Sequence, residues 1–219
     1  MPSSNRGEPM HTLYYSPGAA SLVIHWLLIE LDLPYELKLL DFESKQQKSP
    51  DYLKLNPSGV VPTLVIDGEV LTESVALLMH LADSHSSKGF APPVGSLARA
   101  RYYQWLLYLA NVVQPLFRNW YYPAEVAGEA NAEAVKDSAR KRIEACWQTI
   151  DDHLAKNGPW LLGDKLSAAD FHLTMLMRWS RNLPKQAIEW PNLARMATEM
   201  KARPSFKRLY AEEQLSEWA

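Results

Sequence analysis

The hydrophobic pattern of this chain changes once along its length, and that change limits the folds open to it. Before about residue 85, short strand-like runs alternate with helical patterns; beyond residue 95, helical patterns follow one another without a strand. The stretch between, from His85 to Gly95, contains Ser86-Ser87-Lys88-Gly89 and Pro92-Pro93, a linker composition. We therefore expect a tail over residues 1–9, an α/β domain over 10–85, a linker over 86–95 and an all-helical domain over 96–219. The tail reads as polar and flexible, with Met10 as a second plausible start. A length of 219 residues at 47% hydrophobic content supplies enough apolar surface for two short domains.

In the first half, Thr12 to Tyr15 has strand propensity and Ser16-Pro17-Gly18 breaks it. From Ser21 onward, Leu22, Val23, Trp26, Leu27 and Glu30 fall at helical spacing, and Leu33-Pro34 ends that helix. Tyr35 to Leu40 is a second strand. A helix between two strands requires a crossover, so the two strands should pair in parallel. After a polar, lysine-rich stretch, Asn56-Pro57-Ser58-Gly59 signals a turn. Thr63–Ile66 and Glu69–Leu71 then form a hairpin around Asp67-Gly68, and Ser74 opens a helix. The order βαβ, short helix, ββα is that of a thioredoxin-like layer.

In the second half, a helix is expected over Leu97 to Val113, with Tyr103, Leu106, Leu107, Ala110 and Val113 on one side. Ala132 to Leu154 carries a stripe of Ile143, Trp147, Ile150 and Leu154. Ser167 and Asp170 have the spacing of a capping box, flanked by Leu166 and Phe171 as a hydrophobic staple. A last helix runs from Asn192 to Ala202 and stops at Pro204.

Composition excludes several functions. A formal charge of −2 gives no general attraction to nucleic acid or anionic membrane. No apolar run reaches the ~20 residues of a membrane helix, and no secretory signal is evident. The single cysteine, Cys146, cannot form an internal disulfide, which suits a reducing compartment; beside Trp147 it reads as a buried small hydrophobe. The six histidines show no metal-like spacing, so no metal is expected. No phosphate loop, dinucleotide fingerprint or serine-hydrolase elbow is present.

Five segments, in this order, are similar to the glutathione transferase family: Leu-Tyr-Tyr-Ser-Pro-Gly, Asn-Pro-Ser-Gly-Val-Val-Pro, Leu-Thr-Glu-Ser-Val-Ala, Leu-Leu-Gly-Asp-Lys-Leu-Ser-Ala-Ala-Asp and Arg-Pro-Ser-Phe. Each is weak alone, and together they are specific. The resemblance runs from about Leu13 to Arg208, and its spacing most resembles bacterial beta-class members. It implies a thioredoxin-like N-terminal domain followed by the family's all-helical C-terminal domain.

The resemblance also implies site residues. Val61-Pro62 would have a cis bond that turns the Val61 backbone toward the cysteinyl part of glutathione. On the residues alone, an ordinary trans proline beside an edge strand serves equally. Glu73 and Ser74 would hold the γ-glutamyl end, the carboxylate at the start of the helix and the ammonium on the acid. Read alone, Ser74 is a helix cap beside a solvated Glu73. Lys45 aligns with a beta-class lysine for the glycyl carboxylate, with Lys48 close behind; the other reading is a solvated surface lysine.

The thiol position departs from the family. Ala20 stands where beta-class members have cysteine, Ala19 aligns with the serine of theta- and delta-like members, and the beta-class histidine maps to Gln114. The remaining donors for the thiol are Ser21, Ser16 and Tyr14, with Ser21 favoured for its place at the start of the first helix. Each serine also reads as a cap or turn residue. A free thiol, with a pKa of about 8.5, is only a few per cent ionised at neutral pH, so some donor is needed. Tyr108, Gln114, Trp120 and Tyr121, with Tyr122 and Trp179, are candidates for an acceptor pocket, although aromatic residues at helical spacing are usually core.

The expected activity is conjugation of reduced glutathione, the cosubstrate, to small electrophilic, apolar acceptors by stabilising the thiolate. The alternatives are a glutathione-dependent peroxidase or reductase, or a non-catalytic binding or regulatory protein on the same fold. The family further implies a cytoplasmic homodimer working in detoxification, with no nucleic-acid or membrane partner.

Overall fold

A computed structural model of the chain describes residues 10–218, so the proposed tail at residues 1–9 lies outside it. The chain divides into two compact units: residues up to 88 together with 204–217, and residues 89–203 together with Trp218.

The first unit holds a four-stranded sheet: β1 (His11–Tyr15), β2 (Tyr35–Leu39), β3 (Thr63–Ile66) and β4 (Glu69–Thr72), in the order β2-β1-β3-β4. β1 and β2 run parallel, as the crossover through α1 (Leu22–Glu30) requires; β1–β3 and β3–β4 are antiparallel. Asp67 and Gly68 both take positive φ, 50° and 90°, which is the backbone a two-residue hairpin demands. Pro50 opens the short helix α2 (Pro50–Leu55), and the Ser49 hydroxyl accepts the Tyr52 amide at 3.3 Å. The layer is thioredoxin-like, as expected.

α1 is buried on every side from Leu22 to Ile29. It packs against α3 (Ser74–Ser84) and against the last helix, α10 (Pro204–Glu212). Trp26 meets the Phe206 ring edge-on at 5.1 Å, and its indole N–H donates to Ser205 Oγ at 2.9 Å. α10 thus groups with the strands in space, whereas the sequence reading placed it with the helical half.

The second unit is helical: α4 (Leu97–Tyr108), a π-helical segment (Leu109–Val113), α5 (Gln114–Tyr121), α6 (Ala124–Ala127), α7 (Ala132–Asn157), α8 (Ala168–Trp179) and α9 (Pro191–Lys201). The expected stop at Val113 is not a stop. Pro115 lacks an N–H and its ring crowds the preceding turn. The helix widens over one π turn, in which the Gln114 amide bonds to the Leu109 carbonyl, and then continues to Tyr121. The buried side of α4 also differs from the expected stripe. Tyr102, Trp105, Leu106 and Leu109 face inward with Val113, while Leu107 is 52% exposed. The α7 stripe of Ile143, Trp147, Ile150 and Leu154 is buried as expected. At the start of α8, the Ser167 amide and hydroxyl both donate to Asp170 Oδ2, at 2.8 and 2.9 Å, and the Leu161 amide donates to Oδ1 at 2.9 Å. Burial pushes the Asp170 carboxyl up to about 6, although these bonds draw it down. Phe171 packs edge-on against Phe90 at 5.4 Å.

Candidate functional site

The turn between β1 and α1 is closed by one side chain. Ser21 is fully buried; its hydroxyl accepts the Ser16 amide and donates to the Ser16 carbonyl, each at 3.2 Å. Both hydrogen-bonding roles of that hydroxyl are therefore spent within the turn. The Ala19 amide donates to the Ser16 carbonyl at 3.1 Å, and the Leu22 amide to the Ala19 carbonyl at 3.0 Å. The amides of Ala20 and Ser21 have no acceptor among the described residues, so two N–H groups open at the start of α1. Tyr14 is half-buried, with its ring 5.6 Å from that of Tyr52.

Gly18 has φ 69°, and its amide donates to Glu213 Oε2 at 2.8 Å. The other Glu213 oxygen lies 2.9 Å from Nδ1 of His25, a fully buried residue of α1. His25 Nε2 lies 3.0 Å from Glu212, which also accepts from Tyr35 Oη and Arg208 Nε at 2.7 Å each. Burial pushes the Glu212 carboxyl up, but its bonds to Tyr35, Arg208 and His25 outweigh that and hold it below the ordinary range. This network ties the turn to α10 and the residue after it. No sequence signal marked it, because the partners stand almost two hundred positions apart.

The Val61–Pro62 bond is cis, as the resemblance implied. Val61 packs with Leu40 and Tyr52, and Tyr14, Ala19, Phe42 and Leu55 lie against the same cluster. The residue is only 6% exposed, yet its amide and carbonyl have no hydrogen-bond partner among the described residues. Main-chain groups of a residue this enclosed rarely go without a protein, water or ligand partner. Around them, Tyr52 Oη donates to the Val60 carbonyl at 2.6 Å and lies 2.7 Å from Thr63 Oγ1. Asn56 Nδ2 donates to the same carbonyl at 2.9 Å and to Thr63 Oγ1 at 3.1 Å. Gly59 has φ 60°, and a Cβ there would come within 2.8 Å of the Gln47 carbonyl.

Glu73, exposed, takes φ 70° and ψ 108°, a conformation that costs a non-glycine residue on the order of 1–3 kcal/mol. Ser74 does not cap α3 with its side chain; its hydroxyl donates instead to the Ala20 carbonyl, at a long 3.4 Å. The turn after β1, Val61 and the start of α3 therefore converge in one unit. Lys45 is exposed, with φ 57°, and Lys48 Nζ donates to the Ser58 carbonyl at 3.1 Å.

In the helical unit, the four acceptor candidates each have a different partner. Tyr108 has Cys146 as its neighbour; burial and that thiol push its hydroxyl well above the usual range. The Gln114 carboxamide oxygen lies 2.8 Å from His172 Nε2. Trp120 lies under Lys136, whose ammonium is 4.8 Å from the ring. Tyr121 donates to the Trp179 carbonyl at 2.6 Å. Among the described residues no group of three metal-binding side chains occurs, and no helix is long and apolar enough to cross a membrane.

Comparison with known proteins places these features in one family. The N-terminal domain family of glutathione S-transferases matches residues 9–83, and a glutathione S-transferase C-terminal domain family matches residues 110–213. The chain is 34% identical over 169 residues to a glutathione S-transferase, GST-4.5, of Xanthomonas campestris pv. campestris, covering 77% of this chain and 81% of that one. Among solved structures it superposes on a glutathione transferase homolog from Sulfitobacter, with bound glutathione, at TM-score 0.87, 28% identity and 94% and 99% coverage. It superposes likewise on a bacterial beta class glutathione S-transferase of Sphingomonas chungbukensis, at TM-score 0.83, 28% identity and 94% and 100% coverage. With both domain patterns matched and the two units arranged internally as described, the chain belongs to the glutathione S-transferase family.

Proposed function

We propose that this protein conjugates reduced glutathione to small, apolar electrophiles, with the tripeptide held entirely by the first unit. One observation carries the reading: the Val61 amide and carbonyl lack partners among the described residues, and Val61 packs in the same cluster as Tyr14 and Ala19 of the turn. An extended peptide satisfies such an edge as an added strand does. The γ-glutamyl carboxylate would take the amides at the start of α3 and displace the long Ser74 bond, with Glu73 facing the ammonium. Lys45 would meet the glycyl carboxylate.

The sulfur would then lie at the turn. Because the Ser21 hydroxyl is buried and spent on Ser16, we assign Ser21 to closing the turn. The donors to the sulfur become the Ala20 and Ser21 amides and the Ser16 hydroxyl, with Tyr14 as a ring wall. Oriented N–H groups at a helix start favour the thiolate. The thiol proton leaves to solvent, the thiolate forms a bond to the electrophilic carbon, and the leaving group departs with its electron pair. No covalent enzyme intermediate is needed. Gln114, Tyr108, Trp120 and Tyr121 are proposed to contact the acceptor. A cytoplasmic homodimer acting in detoxification completes the reading, on the family's pattern.

The test is calorimetry with reduced glutathione, followed by turnover against a panel of electrophiles and peroxides. Binding with conjugation supports the proposal. Binding with peroxide turnover alone favours the peroxidase reading, and binding without turnover favours a regulatory protein. Absence of binding overturns both glutathione-dependent readings and favours the non-catalytic one.

A further inference from the structure

Four hydrogen bonds form a closed ring around Val61-Pro62, and every hydrogen in it can be assigned. The Val60 carbonyl only accepts, so Tyr52 must donate its hydroxyl hydrogen there. Thr63 Oγ1 must then donate to Tyr52 Oη. The Asn56 amide nitrogen uses its two hydrogens on the Val60 carbonyl and on Thr63 Oγ1. Its own oxygen accepts the Ser58 amide at 3.1 Å. Tyr52, Asn56 and Thr63 are all buried, so no competing water enters the ring easily. The ring grips the residues on either side of Val61-Pro62 and leaves the Val61 amide and carbonyl outside it. It also reaches the thiol strand, since Thr63 pairs with Tyr14 across β1 and β3 and the Tyr14 ring lies against Tyr52.

From this geometry we infer that Tyr52, Asn56 and Thr63 are positioning residues for glutathione: their ring fixes the Val61 edge in the form that receives the cysteinyl backbone. The inference rests on the glutathione reading above. It assigns the ring to peptide affinity and not to thiol chemistry, because none of its hydrogen bonds reaches the donors assigned to the sulfur, the Ala20 and Ser21 amides and the Ser16 hydroxyl; only the Tyr14 ring wall lies against it. An edge held in its binding form loses less conformational freedom when the peptide docks. Removing one bond of a closed, buried ring also leaves its partner unpaired.

The experiment measures glutathione binding by calorimetry and steady-state kinetics on the full chain, for Tyr52→Phe, Thr63→Val and Thr63→Ser. Tyr52→Phe and Thr63→Val should each raise Kd and KM for glutathione about tenfold, the equivalent of ~1.4 kcal/mol, with kcat at saturating glutathione unchanged. Thr63→Ser keeps the hydroxyl and should restore affinity. The double variant Tyr52→Phe/Thr63→Val should weaken binding by less than the product of the single effects, since both break one ring. Folded variants with wild-type Kd would overturn the inference, as would a loss of kcat at unchanged KM. If Thr63→Val fails to fold, Tyr52→Phe with Thr63→Ser decides. Failure of the wild-type protein to bind glutathione would instead count against the glutathione reading itself.

Discussion

The two units differ in where their unpaired polar groups fall. In the first, the side chains beside Val61 and the β1–α1 turn are paired: the ring of Tyr52, Asn56 and Thr63 closes on itself, and both oxygens of Glu213 are occupied, while Gln47 Oε1 is buried without a partner among the described residues. Main chain is also unpaired there, at Val61 and at the start of α1. In the second unit it is side-chain atoms, His172 Nδ1 and Trp147 Nε1, that are buried without a partner among the described residues. Unpaired main chain at an edge is a docking surface, whereas unpaired side-chain atoms within a helical core are a cost of packing. The contrast teaches where to look for the tripeptide. It also explains why the aromatic candidates of the helical unit, each already engaged by a neighbour, do not mark a site by themselves.

The contrast breaks most readily at Glu213. Glu213→Gln removes the charge facing His25 and weakens the hold on the Gly18 amide. We expect a loss of about 3 kcal/mol, in the range for breaking a buried pair, read as a lower midpoint in chemical denaturation. A loss under about 1 kcal/mol would show that this network is not a major tie.

The helical unit has its own signature in acid. Burial lowers the His172 imidazole to about 3, from an ordinary value of 6.5. The folded state therefore stays unprotonated between those values while the unfolded chain takes up a proton. Stability contributed by the neutral ring is complete above 6.5 and falls as pH falls, by about 1.4 kcal/mol per pH unit, or roughly 2 kcal/mol by about pH 5. Asp170 opposes this between about 6 and its ordinary 3.8, where its raised carboxyl favours the folded state as pH falls. Denaturation across that range should show His172→Phe losing less stability on acidification than the parent. Parallel curves for the two proteins would remove His172 as the cause.

Two smaller effects sharpen the assignments within the first unit. Ser16→Ala should raise the pKa of bound glutathione by ~1 unit, the size of one hydrogen bond to a charged group. Ser21→Ala should cost stability, ~1 kcal/mol, through the opened turn. If only Ser21→Ala shifted the thiol, the roles of the two serines would be reversed. Lys45→Ala should raise KM for glutathione two- to threefold, the scale of an exposed ionic contact of about 0.5 kcal/mol, and that rise should shrink in high salt.

Much of this architecture was legible because its signals are local. Asp67-Gly68 marks a hairpin through its own φ angles, and Ser167 and Asp170 mark a helix start three residues apart. The parallel pairing of β1 and β2 followed from the helix between them. The Val61-Pro62 and Glu73-Ser74 positions came only from the ordered family segments. The rest depended on direction. Nothing in Ser21 says that its hydroxyl turns back to Ser16. Nothing in Tyr52 shows that it closes a ring with residues 60 and 63, and nothing near Glu213 points to Gly18. The helix expected to end at Val113 runs on past Pro115 through a single π turn, and only three-dimensional packing chooses between stopping and widening.

The central claim is that the start of α1 and the Val61 edge together hold glutathione with its sulfur as a thiolate. The most direct measurement is an ultraviolet absorbance titration of the thiolate in the complex, beside the same titration of glutathione alone. The bound thiol should titrate at least ~2 units below the free thiol's value of about 8.5. A bound thiol that titrates with the free one would contradict the claim.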